Sequence, residues 1–207
     1  MMKITKQLLK EMISMQMKQS LMEVRQPKYD RIMKVLKGKA HQSIAIMSGQ
    51  YPMGAAPDPR LLDVEKRSNA IRKENLEDRL SELGFKFERI GGKFGPNIEQ
   101  AVLIYNPNQV PTVDEHWEFL HVIAKLNREF EQWGFVGGKG ISSSENQDMA
   151  FTLFEIDYSQ NDPRAYKALG PMPMSSTVLD DTQMTSQQDD YSFDPTSGKK
   201  FGIKFEE

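Results

Sequence analysis

Phe85-Lys86-Phe87-Glu88-Arg89-Ile90-Gly91-Gly92-Lys93-Phe94-Gly95-Pro96-Asn97-Ile98-Glu99-Gln100-Ala101-Val102-Leu103-Ile104-Tyr105 is the stretch on which the fold turns. Its first six residues alternate between apolar and charged, the period of a strand with one wet face. Gly91-Gly92 and Gly95-Pro96 mark turns, because glycine and proline punctuate the chain where it reverses. Ala101 to Tyr105 is then a compact apolar run and reads as a buried strand. Upstream, Ser43-Ile44-Ala45-Ile46-Met47 reads as another, ending in Ser48-Gly49-Gln50-Tyr51-Pro52 and a loop rich in Gly, Ala and Pro. Asp58-Pro59 is an N-cap followed by proline at the first helical position. The helix it opens runs to Leu83, with Gly84 placed to end it.

Downstream, Thr112 or Asp114 caps a helix that runs to about Gln132, with Trp117, Leu120, Ile123, Ala124 and Leu126 as apolar positions and Gly134 beyond its end. Phe135-Val136 is a short strand, and Met149 to Tyr158 a longer one. The order strand–helix–strand–strand–helix–strand–strand predicts an α+β domain over residues 41–158, its helices packed on a mostly antiparallel sheet. No internal repeat is present.

Two segments flank that domain. Residues 1–40 form a basic helical extension or leader. Ile4, Leu8, Met12, Met15 and Met22 recur at helical spacing over 3–25. A second short helix follows, with Pro27 in its first turn, Tyr29, Ile32, Met33 and Leu36 on one face, and Gly38 at its end. These forty residues carry ten Lys or Arg against three Asp or Glu, a formal +7, in a chain whose total is −2. Such a head can meet phosphate, an anionic surface or the chain's own acidic tail. Residues 159–198 read as an acidic, low-complexity linker. In 199–207, Phe201, Ile203 and Phe205 alternate with lysines, as an edge strand returning to the sheet would or as a disordered end.

Composition narrows the function classes. There is no cysteine among 207 residues, which removes disulfides, thiol catalysis and thiolate metal sites and fits a reducing compartment. His41, His116 and His121 lack the spacing of a metal centre, so neither a metal nor another cofactor is expected. No apolar run is long enough to cross a membrane, and Lys3, Lys6 and Lys10 interrupt what would be a secretory signal. The expected location is the cytoplasm. Near-neutral overall charge does not point to nucleic acid, although the basic head leaves it open.

The helix over 58–83 carries the candidate site. At 100° per residue, Asn69, Arg72, Leu76, Leu80 and Leu83 share one narrow face. An inward guanidinium needs a carboxylate, backbone carbonyls or an anionic ligand. Arg72 therefore either pairs with a buried acid, Glu99 being the obvious candidate, or belongs to a ligand site with Ser48, Asn69 and Glu99.

The string Asn69-x-x-Arg72-x-x-x-Leu76-x-x-x-Leu80, following Ser48-Gly49 and Pro52 and followed by Gly92, Glu99 and Gln132, resembles a family of small bacterial and phage proteins catalogued as a domain of unknown function, the DUF3293-like group. The resemblance covers roughly residues 42–137 and departs at Gly49 and Gln100. It implies that Ser48, Asn69, Arg72, Glu99 and Gln132 converge, and it supplies no activity.

Gly91-Gly92-Lys93-Phe94-Gly95 and Gly137-Gly138-Lys139-Gly140 lack the spacing and following helix of a phosphate loop and are expected to be hairpin turns, with Lys93 and Lys139 available to line a pocket rim. Glu115 with His116, and His121 beyond, form an acid/base set or exposed helix decoration, the latter being favoured. Leu9-Lys10-Glu11 and Leu21-Met22-Glu23 fit a Leu-x-Glu pattern, and the leader is similar to tailed-phage capsid-targeting peptides, in which cleavage would follow Glu23. An ordinary docking or oligomerising helix is the alternative.

Two functions are thus expected. One is a phage or bacterial accessory protein binding a small anionic or nucleotide-like ligand through Ser48, Asn69, Arg72, Gln132 and Lys93, with Glu99 as general base if it is an enzyme. The other is a virion-associated protein, packaged through its leader and acting by contact with a capsid or other virion protein.

Overall fold

The computed structural model describes residues 28–37, 43–50, 62–94, 97–106, 112–140, 149–162, 164–168, 176–184 and 191–205. The expected helix over 3–25, Glu23 within it, and the Asp58-Pro59 helix start lie outside them. Among the described residues are helices α1 (Lys28–Leu36), α2 (Leu62–Glu82) and α3 (Val113–Glu129). The strands are β1 (Ser43–Ser48), β2 (Lys86–Phe94), β3 (Asn97–Tyr105), β4 (Gly134–Gly140), β5 (Met149–Ile156), β6 (Tyr166–Ala168), β7 (Ser176–Leu179), β8 (Tyr191–Phe193) and β9 (Lys200–Phe205). The class is α+β, with sheet rather than helix predominating, and no described helix is long and apolar enough to cross a membrane.

All strand pairings are antiparallel, in the order β4-β1-β3-β2-β8-β9-β7-β5-β6. β4 also pairs with β5 along their length, from Gly134 opposite Glu155 to Gly140 opposite Met149. The sheet therefore curls until it closes, with β6 appended outside the ring. Closure gives it an inner and an outer face, and each carries a core.

On the outer face Ala45, Met47, Val102, Ile104, Phe135, Phe154 and Ile156 pack under Leu76 and Leu80 of α2 and Phe119, Leu120, Ile123 and Ala124 of α3. On the inner face Ile44, Ile46, Ile90, Leu103, Phe151, Val178 and Phe201 surround Tyr29, Ile32, Met33 and Leu36 of α1. β1 is buried at all its positions because it lies between the two cores, which is why its sequence shows no alternation.

Residues from both flanking segments take part. The apolar stripe of α1 meets β9 at Phe201, and the Tyr29 hydroxyl donates to the Lys200 carbonyl at 3.1 Å while accepting from the Asp181 amide at 2.8 Å. The charges of α1 meet carboxylates of the sheet and its turns: Lys28 reaches Asp194 at 3.5 Å, Arg31 reaches Glu88 at 2.9 Å and Lys37 reaches Asp180 at 2.8 Å. Two of the three acids lie in the tail, so this part of the basic head is neutralised by the chain itself. Of these only the Lys37–Asp180 pair is exposed, and a pair of that kind contributes about 0–1 kcal/mol; each buried side chain of α1 contributes about 1.5–3 kcal/mol.

Residues 159–198, expected as a linker, contain β6, β7 and β8. Their acidic residues close turns: Asp162 accepts from the Arg164 amide, Asp180 from Thr182, and Asp194 from Thr196 and Ser197. Strands of three or four residues between Asx turns leave no periodicity to read. Gly91-Gly92 and Gly137-Gly138 are not turns either but lie inside β2 and β4. A Cβ on Gly91 would stand 2.2 Å from the Phe193 ring, and one on Gly138 would stand 2.4 Å from Phe151. Glycine here lets a neighbouring aromatic ring lie on the strand.

α2 stops at Glu82, and Leu83 is 42% exposed rather than part of the buried face. On α3 the buried face includes His116, whose Nδ1 is 2.8 Å from the Ser43 hydroxyl, so it is not surface decoration. Glu115 closes a capping box with Thr112, while Trp117 is an exposed position.

Gly138→Ala should lower the unfolding free energy by about 1–3 kcal/mol through overpacking, and Phe151→Leu in the same chain should recover part of that loss. Urea denaturation of both variants measures it.

Candidate functional site

β1 ends at Ser48, and the chain leaves the sheet through Gly49 and Gln50. Four side chains pin this exit. Arg72 of α2 donates from Nε to the Gly49 carbonyl at 2.9 Å and from its terminal nitrogen to the Phe130 carbonyl. Gln132 donates to the Gln50 carbonyl at 3.1 Å and to Phe130 at 3.0 Å. The Ser48 hydroxyl accepts from the Gln50 amide at 3.1 Å, and the Gln50 side chain accepts from the Gln100 amide at 3.0 Å. Gly49 lies close against α2: a Cβ there would be 3.1 Å from Leu76.

The other anchor is the end of α3. Glu131 has a φ of 52°, and the Gln132 amide bonds the Asn127 carbonyl at 2.8 Å while the Glu131 amide bonds Arg128 at 3.1 Å. This is a left-handed helix stop with a glutamate where glycine is usual. It turns Gln132 toward β1 and brings the Glu131 carboxylate to 3.6 Å from Arg72. Burial lowers the Arg72 pKa from its ordinary value, yet the two carbonyls it serves give the guanidinium its hydrogen bonds. Removing it would strip donors from both, at about 1–3 kcal/mol for each buried acceptor left unmade.

Ser48 and Glu99 belong to the other face of the sheet. Ser48 pairs with Ala101, so by strand alternation both share a face with Glu99 and Leu103. The Ser48 hydroxyl reaches the Gln100 carbonyl at 3.1 Å and also the Glu99 carboxylate. Burial pushes the Glu99 carboxyl above its ordinary value, with the Ser48 hydrogen bond working against that shift.

Where β3 runs past the end of β1, an open cavity of about 540 Å³ lies between it and the first half of the described α2. Its lining includes Gln50, Asn69, Lys73, Glu74, Arg89 and Glu99. Asn69 is buried. Arg89 is held by a two-pronged ion pair to Glu77, at 2.7 and 2.5 Å. Lys73 has no hydrogen-bond or ion-pair partner among the described residues.

The expected constellation is thus divided. Asn69 and Glu99 line the cavity; Ser48 touches Glu99 from beneath; Arg72 and Gln132 hold the backbone beside it. Lys93 lies elsewhere, its ammonium 5.6 Å from the centre of the Tyr191 ring. Glu23 and the side chain of Lys139 lie outside the described residues. Lys73, Arg89 and Gln50 were not singled out from sequence. Lys73 had a signal, since it follows Asn69 by four residues and so shares its side of the helix. Among the described residues no cluster of ligating side chains is suited to a metal.

No family model matches the chain, and no curated protein matches it either.

Because folding raises the Glu99 pKa above about 4.5, the folded chain holds a proton that the unfolded chain has released. Stability from this group is therefore lost as pH rises through that window. Glu99→Gln should gain stability relative to the parent between acid pH and neutrality, read from urea midpoints across that range.

Proposed function

We propose that the cavity beside α2 binds a small polar ligand bearing an anionic group, nucleotide-like in size, and that the chain is a ligand-binding accessory protein of a phage or bacterium. The observation that carries this reading is the convergence, in one opening of about 540 Å³, of an unpaired ammonium at Lys73, a buried amide at Asn69 and a carboxyl at Glu99 whose ionisation is suppressed. The volume falls in the range of small-molecule sites, about 300–1,000 Å³.

Each group has a role. Lys73 meets the anion as a point charge. Asn69 offers both a donor and an acceptor. Glu99, protonated, donates a hydrogen bond to the ligand, and deprotonated it is the group able to act as general base. Arg72 and Gln132 act at one remove, as positioning residues that fix Gly49 and Gln50 at the cavity wall.

A thermal-shift panel of nucleotides, sugar phosphates and small carboxylates, followed by calorimetry, tests the proposal. At least one anionic compound should raise the melting temperature. Lys73→Ala should weaken it about tenfold or more while melting with the parent, since losing one charge-assisted contact costs about 1.5–3 kcal/mol. Absence of any shift, or equal binding by Lys73→Ala, would overturn the reading.

A further inference from the structure

The outer core draws on β1, β3, β4 and β5 but on no residue of β7, β8 or β9. α2 and α3 therefore leave part of the outer sheet face uncovered. Register assigns the side chains there. Lys93 of β2 stands opposite Tyr191 of β8 and opposite Ile98 of β3. Gly91 stands opposite Phe193 and Gln100, and Phe193 opposite Lys200 of β9. Residues opposite one another share a face, so Ile98, Gln100, Lys93, Gly91, Tyr191, Phe193 and Lys200 form one continuous surface. It spans four strands, roughly 14 Å across.

Its chemistry is aromatic and cationic. The Phe193 ring lies over Gly91, half-buried, with the Tyr191 ring 6.3 Å away centre to centre. The ammonium of Lys200 is 4.4 Å and that of Lys93 5.6 Å from the Tyr191 ring centre. Of the carboxylates of these strands, Glu88 turns to Arg31 of α1, and Glu99 turns to Ser48 and also lines the cavity beside Ile98 and Gln100. A chain of formal charge −2 thus presents, around Tyr191 and Phe193, lysines and rings with no carboxylate from β8 or β9.

We propose that this face binds single-stranded nucleic acid, bases stacking against Tyr191 and Phe193 while the backbone phosphates take the ammoniums of Lys93 and Lys200. The lysines rest on the ring until a phosphate draws them away. Rings supply sequence-tolerant stacking and lysines the phosphate contacts. A duplex keeps its bases stacked inside and would leave the rings unused, and an acidic peptide would use the lysines alone. Ile98 and Gln100 also line the cavity beside α2, but the rings and lysines that carry the inference lie outside its lining.

Fluorescence anisotropy of the full chain with a labelled oligothymidylate, an oligouridylate, a duplex, and heparin or an acidic peptide as competitor tests it. The single strands should bind in preference to the duplex. With two lysines engaged, log Kobs should fall with log salt at a slope of about −1.4, which Lys93→Gln or Lys200→Gln should reduce by about 0.7. Tyr191→Ala should weaken binding about tenfold or more at unchanged slope, and Tyr191→Phe should retain it, with matching melting curves for both. No binding at about 50 mM salt would overturn the proposal. So would heparin or acidic-peptide binding as tight as the single strand and indifferent to Tyr191→Ala, which would mark a plain cationic surface.

Discussion

A sheet that curls until its strands close on one another must fill the space it encloses, and here that space is filled by one side of α1. Tyr29, Ile32, Met33 and Leu36 meet residues of β1, β2, β3, β5, β7 and β9. At about 1.5–3 kcal/mol for each buried side chain, their contribution is comparable to the whole net stability of an ordinary domain, about 5–15 kcal/mol. The strands furthest apart in sequence depend on this helix most. β7 and β9 have no described helix on their outer face, and Val178 and Phe201 find their apolar contacts inside.

The same closure produces the site. β1 is covered on both faces and cannot shift, so the chain leaving it at Gly49 is held in place by the structure around it. Arg72, Gln132 and Ser48 spend their hydrogen bonds on that exit, and the cavity opens just beyond, where β3 continues without β1 beside it. Inward polar residues on α2 thus answer first to backbone accounting. Lys73, one position past the arginine that the helical period singles out, lines the cavity with no hydrogen-bond or ion-pair partner among the described residues.

Much of this was legible in the sequence. The stripe of α1, the capping of α3 and the buried run of β1 follow from periodicity and cap chemistry. The closed sheet did not follow, because it rests on pairs such as Met149 opposite Ser176 that no local pattern encodes. Glycine pairs in β2 and β4 resemble turns until the rings of Phe193 and Phe151 are seen lying on them. The three-residue strands β6 and β8 are too short to show a period. At the site, Asn69 and Glu99 both line the cavity. The separation of Ser48 and Glu99 from Arg72 and Gln132 depends on strand parity, which only the register between β1 and β3 reveals.

The central claim is that α1 is the interior of the sheet rather than an appendage to it. Native-state hydrogen exchange on the full chain tests this most directly. If α1 is the filling, the amides of residues 32–36 open only with the global unfolding that opens β1 and β3, and share their protection. Exchange of α1 orders of magnitude faster than β1 and β3, with the sheet still protected, would contradict it.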